Sequence, residues 1–178
     1  MRLFVIFLLM LAASFTKGQN FTPSRQAITA DSNGRAGNVD EAIAGWKLDY
    51  KSSHRPDVAN TLAALYSLKE EAKPAFEWLH IALEKDSTVS ALMSGDFIYL
   101  SSQSAWVEIE NQQIKKSEAQ QGKYKNLALS KKLWHLQMKD QAYTTQWSLA
   151  RRKLGEDHPV TRAINILINK VRDVRPYA

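Results

Sequence analysis

Cysteine is absent from all 178 residues. That absence removes disulfides, thiolate metal sites and attachment of a lipid through an amino-terminal cysteine. Glycine and proline are scarce, at seven and five, and no stretch alternates apolar and polar residues in the manner of a strand. Long 3.6-residue patterns remain, which predict an all-α chain. His54, His80, His135 and His158 are scattered, without an HExxH motif or any close ligand spacing, so no metal site is expected. No serine lies in a nucleophile elbow, and neither a glycine-rich phosphate loop nor a dinucleotide fingerprint occurs. Nothing in the sequence therefore calls for a cofactor or proposes an enzyme. The formal charge of +6 is spread among acidic residues and makes no nucleic-acid footprint. The denser basic stretches, residues 115–132 and 151–153, read as solvated helix faces and helix ends.

What is present starts at the amino terminus. Arg2 precedes an apolar run over residues 3–11, followed by Ala12, Ala13 and Ser14, the layout of a secretory signal covering residues 1–18 with cleavage near Ser14 or Gly18. A permanent anchor is the alternative, but a membrane span needs about 20 apolar residues and this run is shorter. A cysteine-free exported chain suits a bacterial periplasm or secretion. The hydrophobic fraction of 44% and five tryptophans predict a folded core.

Leu62, Ala63, Tyr66, Ala75, Leu79 and Ala82 sit at the spacing of a helix-turn-helix unit. Ala30, Ala42 and Trp46 echo three of those positions 33 residues earlier. Antiparallel helices approach closely where alanine faces a bulky side chain, and each such pair leaves an apolar side for the next pair to cover. In these residues the chain resembles the tetratricopeptide repeat family. The better copy spans residues 56–87; the earlier one, residues 23–55, has Thr29 and Asn33 where Leu62 and Tyr66 recur. Leu92, Asp96, Phe97, Leu100, Trp106 and Ile109 then resemble the closing unit of such arrays in exported bacterial proteins, with Phe97 and Trp106 sealing the open end. Repeats and cap together are expected over residues 19–116. The resemblance implies a concave groove lined by Ala27, Asp31, Asp57, Asn60, Ala64 and Ser67. Asn60 and Ala64 occupy places where a carboxylate clamp would need Lys and Asn, so the implied ligand is an extended or helical peptide segment rather than a chain end. The chain's own amino-terminal segment or its carboxy-terminal helices could fill the groove instead.

Residues 112–125 are polar with few apolar anchors and predict a solvated helix end and a linker, residues 117–126. A helical hairpin is expected over residues 127–178. Its first helix places Leu129, Leu133, Leu136, Asp140, Tyr143, Trp147, Ala150 and Leu154 on one stripe, expected to be buried. Gly155 ends that helix, and a second helix from Asp157 or Pro159 is expected to bury Val160, Ile164, Leu167, Ile168 and Val171. A carboxylate on a buried stripe needs a partner. Asp140 with Gln141 is thus either a structural pair at the stripe's edge or part of a polar site completed by Arg152 or Arg162. Residues 129–147 also resemble the opening helix of an uncharacterised bacterial domain family bearing Asp-Gln, though Thr144 stands where that family often has Arg. Two functions follow as expectations: an exported helical scaffold that binds a protein or peptide without catalysis, or a small hydrolase-like or ligand-processing domain centred on Asp140 and Gln141.

Overall fold

A computed structural model describes residues 24–36 and 38–173, and these are helical with no strand among them. The signal-like segment, Pro23 and Gly37 lie outside the described residues.

Small side chains set the first contacts. Helix α1 (Arg25–Ala36) and helix α2 (Val39–Ser53) form a hairpin in which Ala27, Ala30 and Ala42 are buried. A Cβ placed on Gly45 would come within 2.8 Å of the Ala30 Cβ, so hydrogen there allows the two backbones to meet. Thr29 does not oppose the helix: its hydroxyl donates to the Arg25 carbonyl at 3.0 Å, and the side chain points outward. Ser24 caps α1 by accepting from the Ala27 amide at 3.0 Å and donates to the carboxylate of buried Asp49 in α2.

Helix α3 (Pro56–Leu68) starts on a proline whose missing N–H costs nothing at that position. It pairs with α4 (Ala72–Leu83) through fully buried Leu62, Ala63, Ala75 and Leu79. The buried alanines Ala30 and Ala42 are thus matched by Ala63 and Ala75 at the same interval of 33 residues. Between the two hairpins, Tyr50 meets Trp78 edge to face at 4.9 Å, and the Lys69 ammonium lies 2.7 Å from both Asp40 and Glu71. Those two carboxylates hold the ammonium pKa well above the ordinary lysine value.

Three 3-10 turns follow (Ser90–Met93, Gly95–Phe97 and Leu100–Ser102), then helix α5 (Trp106–Gln121). Phe97 and Trp106 are buried with ring centroids 6.4 Å apart, covering the end of the second hairpin. The polar run after Ile109 is solvated at its end, residues 119–123, but before that some of its polar side chains are internal. Gln113 is buried and donates to the carbonyls of Asp86 and Thr88 at 3.2 and 3.0 Å. Lys116 reaches the carbonyls of Leu83 and Glu84, the exit of α4, at 2.5 and 3.1 Å, where helix carbonyls lack partners and attract a cation. Buried Ser117 bonds the Tyr124 hydroxyl at 2.8 Å. Polar side chains are internal here because they satisfy exposed backbone ends, a role that apolar periodicity does not register. Only residues 122–126 connect α5 to the next helix.

Helix α6 (Leu127–Leu154) and helix α7 (Pro159–Asp173) form the last hairpin. The stripe expected to be buried is not the buried one. Leu129 and Leu154 are 43% and 49% exposed, while Trp134, Met138 and Ala142 on another face are buried. Trp134 and Met138 enter the same hydrophobic cluster as Leu62, Leu79 and Phe97, so α6 lies directly on the cap and hairpins. Of the five residues expected to be buried in α7, Ile168 is, whereas Val160 and Leu167 are 48% and 43% exposed. The periodicity located the helices correctly, but two apolar stripes compete on α6, and the one carrying the larger Trp134 and Met138 contact with the cap takes the core.

Candidate functional site

Two depressions flank α6. The larger, about 500 Å³, is walled by Asn60, Thr61, Ala64 and Leu65 of α3, by Ile98 and Tyr99 of the cap, and by Ala142, Thr145 and Gln146 of α6. Thr61 also borders a smaller hollow of about 240 Å³ lined by Ala27, Asp31, Trp46, Arg55 and Asp57. The two hollows share Thr61, and together they trace a groove past α1 and α3 to α6. All six residues expected to line a groove lie along it, yet two of them serve packing. Ala27 is buried against α2, and Ser67 is buried with its hydroxyl donating to the Asp96 carbonyl at 2.7 Å. Asp31, Asp57, Asn60 and Ala64 remain as surface positions. Asp57 receives the Arg55 guanidinium, with Nε 2.9 Å from Oδ1. The sequence did not point to Ile98, Tyr99 or Gln146, because two of these belong to irregular turns and one to a helix far along the chain. The carboxy-terminal hairpin roofs one end of the groove without filling it.

The second depression, about 420 Å³, is polar: Gly95, Asp96, Asp140, Gln141, Thr144, Thr145 and Arg172 line it. Asp140 sits where its carboxylate is only 13% exposed and accepts from Arg172 Nε at 2.9 Å. The expected partners are placed otherwise: Arg162 is turned to Asp157, donating to its carbonyl at 2.8 Å, and the Arg152 side chain lies outside the described residues. Arg172 escaped notice because its approach depends on α7 folding back by a full helix length. Gln141 lines the same cleft as Asp140. Its Oε1 accepts from the Gly95 amide at 3.1 Å, tying α6 to the cap. The turn comes that close because residue 95 lacks a side chain; a Cβ there would lie 2.5 Å from the Ala142 nitrogen. The Thr144 hydroxyl is buried without a hydrogen-bond partner. Chemically, the cleft offers the Asp140 carboxylate already committed to a guanidinium, a second carboxylate from Asp96, two threonine hydroxyls and an amide. Among the described residues no three His, Asp or Glu side chains converge as a metal site would require.

Comparison with protein-family models, with curated proteins and with solved structures gives no match.

Proposed function

We propose that this chain is a tetratricopeptide-like helical scaffold, exported from a bacterial cell, which holds a segment of another protein in the groove along α1 and α3 and performs no catalysis itself. The observation that carries this reading is the pair of hollows that share Thr61 and set an apolar wall beside polar groups. Leu65, Ile98, Tyr99 and Ala142 supply apolar contact, while Asn60, Thr61, Thr145 and Gln146 offer the donors and acceptors that a main chain needs. Glu70 and Asp96 border the larger hollow, and in the smaller one the Arg55 guanidinium is held by Asp57. The favoured ligand is therefore an extended or helical segment. Buried alanines recurring every 33 residues support the tandem-hairpin interpretation.

A photocrosslinking residue at Ala64 tests this. It should trap a discrete protein partner from a periplasmic extract, and Tyr99→Ala in the same chain should abolish the product. The same residue at Glu77, on the exposed side of α4, should trap none. Equal products from both positions would remove the groove from the reading.

A further inference from the structure

Charge and apolarity coincide on one side of the α6–α7 hairpin. Residues 24–122 contain ten Lys and Arg against fourteen Asp and Glu, a formal −4, whereas residues 123–173 contain eleven against four, a formal +7. The modest charge of the whole chain conceals two halves of opposite sign.

The same hairpin leaves apolar side chains uncovered. α6 turns Trp134, Met138 and Ala142 toward the cap, and α7 turns Thr161 and Ile168 toward α6. In this antiparallel pair, pinned by Asp140 with Arg172 and by Thr161 with the Gly155 carbonyl at 2.8 Å, one side of each helix faces away from the cap in common. On α6 that side carries Leu136, Tyr143 and Leu154; on α7 it carries Val160 and Leu167. Leu154, Val160 and Leu167 are exposed, and Leu136 and Tyr143 are half-buried. By helical position, Lys132 and Lys139 run along the α6 edge of this face and Lys170 along the α7 edge. No helix among the described residues is long and apolar enough to cross a membrane.

We propose that this face rests on an anionic lipid bilayer, with its aliphatic side chains at the level of the headgroups and its lysines on lipid phosphates. Three observations select that occupant. A second copy would bring +7 against +7. A single acidic helix would occupy only the furrow between the two helices, whereas the basic residues of α6 run from Lys131 to Lys153, about 33 Å at 1.5 Å per residue. The −4 half is repelled by the surface that attracts the +7 half, so the molecule stands hairpin down. Apolar side chains edged by lysine, with tyrosine among them, form the pattern of a helix lying in the interface. This inference is independent of what the groove binds.

Vesicle co-sedimentation of the full chain tests it. Vesicles of phosphatidylcholine with about 30% phosphatidylglycerol should pellet the protein at least about tenfold more strongly than phosphatidylcholine alone, and about 0.5 M salt should release it. Leu167→Asp should weaken pelleting about tenfold, while Leu48→Asp, at a more exposed leucine on α2, should leave it unchanged; matching circular dichroism melts establish that both fold. Equal pelleting on neutral vesicles, or pelleting indifferent to Leu167→Asp, would assign membrane attachment to another segment and overturn the proposal. So would failure to pellet at all, or binding of a synthetic Glu-rich amphipathic helix in place of vesicles.

Discussion

The Gly95 amide and the Gln141 side-chain oxygen are joined by a hydrogen bond of 3.1 Å across 46 residues of sequence, at a point where the cap turn and α6 are separated by no side chain. Gly95→Ala would set a methyl 2.5 Å from the Ala142 nitrogen, and backbone on both sides cannot yield cheaply. A loss of about 1–3 kcal/mol is expected in chemical denaturation. Gln141→Ala, which removes one partly exposed bond, should cost no more than about 1 kcal/mol. Equal costs would mean that the close approach is not a constraint.

Asp140 and Arg172 separate structural from chemical roles in the polar cleft. Asp140→Asn keeps a hydrogen-bond acceptor for Arg172 Nε and should be nearly silent in stability. Asp140→Leu leaves the guanidinium, itself half exposed, free to turn to water, so its cost should stay near about 1 kcal/mol. Loss of folding in both variants would show a wider network than the geometry suggests.

Gln113 is an internal polar side chain with two backbone partners. Gln113→Leu fills a similar volume but strands the carbonyls of Asp86 and Thr88, and a drop of about 1–3 kcal/mol is expected. A neutral or stabilising outcome would mean that water serves those carbonyls equally well.

Trp46 and Tyr66 report on the two hairpins. Tyr66→Ala removes a buried ring and should cost about 3–5 kcal/mol. Trp46 is half-buried and borders the groove, so Trp46→Ala should cost less. A loss below about 1 kcal/mol would leave α1 and α2 marginally attached.

Burial against its surroundings, and then the charge of Lys139, push the imidazole of His135 below the usual histidine value, with Glu110 pulling the other way. The unfolded chain therefore takes up this proton first as pH falls. Stability is complete above about pH 6.5 and declines below it toward the folded-state value. His135→Gln should flatten the dependence of Tm on pH between about 7 and 5; an unchanged slope would assign that dependence to other groups.

Much of this fold was legible in the residues. Alanine against large apolar neighbours located α1 to α4, and Gly122 and Gly155, both at positive φ, end α5 and α6 as their residue type demands. Phe97 and Trp106 were correctly singled out. Two things were hidden. The internal roles of Gln113 and Ser117 depend on backbone carbonyls brought near by the 3-10 turns, for which there is no periodic signature. On α6, two apolar stripes lie within one helix, and a one-dimensional pattern does not state which of them meets the cap. The groove positions came from the family resemblance alone, and the far wall comes from Tyr99 and Gln146, which only tertiary folding brings there.

Gly95, Asp96 and Thr145 border both the groove and the polar cleft. The partition between them is thus a single layer of residues, braced by the bond from Gly95 to Gln141. Any occupant that wedges the groove apart at α6 must push this partition toward Asp140 and Arg172. The two hollows are therefore neighbouring rooms with a common thin wall.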